Sequence, residues 1–133
     1  MAEIALPSPL ARHQVEAILY LADRIAFTDR NISSTEKGAI QLLAAQANQP
    51  QFRDQPWYQH FTDDAACDRL DTPEARIGAL VVLRYVVRSD ARVEAAEGEF
   101  FQQILERLHV DAVQIPKDIN HHQKLALAYL GKV

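Results

Sequence analysis

Apolar residues recur every three or four positions along most of the chain, which is the spacing of a helix with one buried face. Val15, Ile18, Leu19, Ala22, Ile25 and Ala26 define one such stripe, and Ile40, Leu43, Ala44 and Ala47 a second. Between Ile77 and Val87 nine of eleven residues are apolar. Val81, Val82, Val86 and Val87 are β-branched, as a buried strand would favour. The run is long for a strand and has no partner strand elsewhere, so it is expected to be a helix, apolar on nearly all sides and central. Phe101, Ile104, Leu105 and Leu108 form the next stripe. Leu125, Ala128 and Tyr129 form the last.

Punctuation sets the expected boundaries. Ser8-Pro9 is a helix start, and the first helix should run from there to about Phe27, after a flexible tail over residues 1–7. Ser33-x-x-Glu36 has the capping-box spacing for the second helix, which Asn48 and Pro50 should end. Thr62 should open a short helix over Asp63 to Leu70, and Thr72-Pro73 opens the central one. Asn120 can cap the last helix and Gly131 stop it. The segment from Gln51 to Asp71 is the least regular. Its Phe52, Trp57, Tyr58 and Phe61 either cap the core or form a surface for a protein partner.

Two stretches share one order of features. Shifting the first by 61 positions lays Leu19 on Leu80, Asp29 on Asp90, Ile32 on Val93, Glu36 on Glu97 and Gln41 on Gln102. The shared pattern is Asp-x-x-(Ile/Val)-x-x-x-Glu at a bend between two helices. It predicts an all-α single domain over residues 8–133, with two pseudo-repeated helix pairs.

Composition narrows the function. Apolar residues make up 48% of the chain, enough for a packed core. The net charge of −4 is spread over both halves, against a nucleic-acid binder working through bulk charge. A single cysteine, Cys67, excludes an internal disulfide and fits a reducing compartment. No stretch approaches the ~20 apolar residues that span a bilayer. Gly-rich phosphate loops, Gly-x-Ser-x-Gly and His-x-x-x-His are all missing. An enzyme would rest only on carboxylates and histidines meeting in a cleft.

The candidate chemistry lies in Asp29, Glu36, Asp90 and Glu97. Hard cations such as Ca²⁺ and Mg²⁺ need several converging oxygens, and two neighbouring bends could pool these four. The plain alternative is that each Asp bonds turn amides and each Glu completes a capping box. EF-hand geometry is excluded: Ser34 stands where that loop needs glycine, Ile40 where it needs glutamate, and Arg92 at the third position of the second bend. Arg84 and Arg88 could pair with Asp23 or with the bend carboxylates.

FTDRNISSTEKGAIQLL and VRSDARVEAAEGEFFQQIL, the two motif-bearing pieces, resemble the TerB-like family, the tellurite-resistance TerB domain and its relatives. The resemblance covers about Val15 to Val110. It implies a bundle of about seven helices with internal duplication and an acidic surface for metal at Asp29, Glu36, Asp90 and Glu97. It also implies a cytoplasmic stress-response or scaffolding role rather than catalysis. Where the family often has glycine after the aspartate, this chain has Arg30 and Ala91. The expectation is a non-enzymatic domain binding a divalent cation, with a metal-free protein-interaction module as the alternative.

Overall fold

The structure, a computed structural model, describes residues 9–26, 34–88, 95–111, 113, 115 and 122–131. Every regular element among them is helical: α1 (Arg12–Ala26), α2 (Ser34–Gln46), a 3₁₀ turn (Phe52–Asp54), α3 (Pro56–His60), α4 (Asp63–Arg69), α5 (Pro73–Arg88), α6 (Ala95–Arg107) and α7 (His122–Leu130). The valine-rich run is helix α5.

Two helices share the centre. α5 buries Ala79 to Leu83 completely, as its sequence predicts. α1 is as deep: Ala17, Ile18, Leu19, Leu21, Ala22, Ile25 and Ala26 all have no exposed surface. Full burial of one Leu or Ile is worth about 1.5–3 kcal/mol, so this central pair carries much of the stability. The polar residues that make α1 look one-sided in sequence, Gln14, Glu16 and Asp23, are buried too. Each has partners. Glu16 lies between Arg12 and Arg69, at 3.2 Å from both. Gln14 donates to Asp71 Oδ1 at 2.7 Å and accepts from the Ala11 amide at 3.0 Å. The second contact is half of a capping box, and it starts α1 at Arg12 rather than at Pro9.

Side-chain contacts fix the helix directions. Gln14, near the start of α1, reaches Thr72, one residue before α5, at 3.3 Å. Arg24, near the end of α1, lies over the ring of Phe100 in α6 at 5.9 Å, and Arg84 of α5 over Phe101 at 5.2 Å. The two central helices therefore start at one pole and end at the other. α4 runs back along α1, joined by Arg24–Asp63 at one end and Arg69–Glu16 at the other. α7 runs back along α5, where a Cβ on Gly78 would fall 2.7 Å from the Tyr129 ring.

Helix ends repeat the sequence spacing. α2 and α6 begin 61 positions apart and end 61 apart, and so do the starts of α1 and α5. Asn48 (φ 59) and His109 (φ 57), also 61 apart, are left-handed caps. In both, the amide three past the helix bonds a carbonyl five residues back, Gln49 to Ala44 at 2.8 Å and Val110 to Leu105 at 3.3 Å. Gly131 does follow the last helix, but its φ is not positive. Glycine is needed there because a Cβ would fall 2.7 Å from the Gln46 side chain.

Candidate functional site

Glu36 and Glu97 occupy the third position of α2 and α6, as the capping-box spacing requires. Ser33, the other half of the first box, lies outside the described residues, as do Asp29 and Asp90. Both glutamates are buried, 3% and 1% exposed. A capping-box glutamate ordinarily faces water, and taking a carboxylate out of water is costly unless it is compensated. Because α1 and α5 end at the same pole, the connections to α2 and α6 leave from the same end of the molecule. Among the described residues, no group of three or more His, Cys, Asp or Glu side chains converges as a metal site would.

A second cluster lies toward the same pole. Asp23, 3% exposed, projects from the last turns of α1. Its Oδ1 accepts from Arg53 Nε at 3.0 Å and from Arg53 Nη2, and its Oδ2 accepts from the Tyr58 hydroxyl at 2.5 Å. Arg53 belongs to the 3₁₀ turn and Tyr58 to α3, so one carboxylate fastens the whole 52–60 segment to α1. Burial, then the bond to Asp23, raises the Tyr58 hydroxyl well above the usual phenol range. The Asp23 bond and the Coulomb attraction likewise hold Arg53 more firmly protonated. A shallow pocket of about 320 Å³ opens between Asp23, Arg24, Arg53 and Tyr58. Of the pairings open to Arg84, the one with Asp23 does not form: Asp23 takes Arg53 from the 3₁₀ turn, and Arg84 lies over the ring of Phe101. The Arg88 side chain lies outside the described part. Asp23 was open to discovery in sequence as the one acid on the Leu19–Ala26 stripe.

The aromatics of the irregular segment pack together. Tyr20 meets Tyr58 at 5.5 Å and Phe61 at 5.4 Å, and Trp57 meets Phe61 at 5.1 Å. Phe52 is buried; Trp57, Tyr58 and Phe61 are half-buried against the core. Cys67 is buried in α4, and burial pushes its thiol up to about 11, away from nucleophilic chemistry at neutral pH. At the opposite pole His13 Nε2 approaches Asp71 Oδ2 at 3.2 Å. The bonds from Gln14 and His13 hold that carboxyl below the usual range.

No helix of the described chain is long and apolar enough to cross a membrane. Comparison with protein-family models, with curated proteins and with solved structures finds no match.

Proposed function

We propose that the chain is a non-catalytic, TerB-like domain that binds a divalent cation, Ca²⁺ or Mg²⁺, through Asp29, Glu36, Asp90 and Glu97. The observation that carries this reading is the burial of Glu36 and Glu97 at matching positions of two helices that start 61 residues apart. The shared polarity of α1 and α5 supports it, since both acidic connections then depart from one end. Carboxylates pooled there would repel one another, and a cation would turn that repulsion into binding energy. The TerB-like resemblance points the same way and suggests a cytoplasmic stress-response role.

Calorimetric titration with Ca²⁺, Mg²⁺, Mn²⁺ and Zn²⁺, paired with thermal unfolding, tests the proposal. Metal at about a hundredfold excess over Kd should stabilise the fold by about 2.7 kcal/mol. Glu36→Gln and Glu97→Gln together should remove that gain; unfolding without metal reports any separate damage to the fold. A flat titration and an unchanged transition at millimolar metal would end the reading. They would favour the second one, a metal-free protein-interaction module. Its supporting feature is α3, where half-buried Trp57 neighbours exposed Pro56, Gln59 and His60.

A further inference from the structure

One helix junction occurs twice in this fold, and the two copies are packed differently. The ends of α4 and α7 lie 61 positions apart, as do those of α6 and α2. α7 closes directly on α2: Gln46 Nε2 donates to the Gly131 carbonyl at 3.3 Å, and there is no room there for a Cβ. α4, seven residues against nine in α7, leaves a cleft of about 480 Å³ against α6. Small-molecule sites commonly enclose about 300–1,000 Å³.

The cleft has an apolar floor and a charged mouth. Cys67, Phe100 and Ile104 form the floor, each less than a tenth exposed, and Asp63, Asp64 and Arg107 stand at the rim. Arg24 bonds Asp63, and Arg107 bonds both Asp64 and Asp68, at 3.3 and 2.9 Å. Three carboxylates against two guanidiniums leave the mouth one net negative charge. Phe100 already accepts a cation against its ring, the Arg24 guanidinium at 5.9 Å.

We propose that the α4–α6 cleft binds a small amphipathic cation, an ammonium head at the carboxylate rim with an aromatic or short alkyl body on the Cys67–Phe100–Ile104 floor. The site is separate from the acidic bends and does not depend on the metal reading. Titration of the full chain with benzylammonium, followed by amide NMR shifts, tests it against neutral benzyl alcohol and anionic benzoate. Benzylammonium should shift the amides around Cys67, Phe100 and Ile104. It should bind at least about threefold tighter than benzyl alcohol, with benzoate weakest. Asp64→Asn with Asp68→Asn turns the mouth net positive and should weaken benzylammonium at least about fivefold. Both side chains are largely exposed, at 84% and 71%, so this variant should fold even if a cleft-filling Cys67→Leu does not. Cys67→Leu, where folded, should abolish binding of all three probes. The proposal is overturned by shifts centred elsewhere, by no shifts at about 20 mM probe, or by an order of affinities that ignores the rim charges.

Discussion

Replacing Asp23 by alanine tests how much of the fold one buried carboxylate holds. Removing one partner of a fully buried ion pair costs about 3–5 kcal/mol. Asp23 is buried, but 48% of the Arg53 side chain is exposed. Arg53 can therefore rehydrate, and its share falls toward the value of a surface pair, below about 1 kcal/mol. The Tyr58 hydroxyl cannot escape as easily; losing a charged acceptor costs it about 1.5–3 kcal/mol. Together these give about 2–4 kcal/mol for Asp23→Ala. For a domain of this size the melting temperature should drop by roughly 10 °C. Urea unfolding at pH 7 measures the loss, and a double-mutant cycle with Tyr58→Phe isolates the hydroxyl–carboxylate coupling. The tyrosine should also ionise at lower pH in Asp23→Ala than in the parent, yet still above a free phenol, because burial is the larger cause of its shift. A loss below about 0.5 kcal/mol, or strict additivity with Tyr58→Phe, would refute the reasoning.

Two further measurements probe packing and burial. Gly78→Ala should destabilise by about 1–2 kcal/mol despite alanine's better helix propensity, because its Cβ would fall 2.7 Å from Tyr129. Gly98→Ala, with nothing within 4 Å, should stabilise by about 0.5–1 kcal/mol. With its thiol pushed up to about 11, native Cys67 should react slowly with a disulfide reagent at pH 8, where about one thiol in a thousand is ionised. Labelling should become fast in urea. Since the folded value is raised, the protonated thiol's contribution to stability is complete below pH 9.0 and is lost as pH climbs toward 11.

Where local chemistry sets structure, the sequence was informative. Periodicity placed α1, α2, α5, α6 and α7, Thr62 and Thr72 marked the starts of α4 and α5, and Asn48 ended α2 with the left-handed backbone that asparagine tolerates. Contacts between distant segments were not legible. Nothing near Gln14 announces that it bonds Asp71, so Ser8-Pro9 looked like the helix start. Arg53 lies in the irregular segment, on a 3₁₀ turn that no helical spacing ties to Asp23. His109 as a left-handed cap could be found only through its spacing from Asn48. Of the candidate metal residues, the positions of Glu36 and Glu97 in their helices were foreseen, but not their burial.

The Leu10 amide bonds the Tyr129 carbonyl at 2.9 Å, which places the lead-in to α1 beside the last turn of α7. The described chain thus closes almost into a ring. Any fusion partner or tether joined ahead of residue 9 or beyond residue 131 would leave from that one corner, away from the pole where α1 and α5 end. Joining those two ends with a short linker and opening the chain elsewhere would preserve every helix contact described above, so a circular permutant has the geometry it needs.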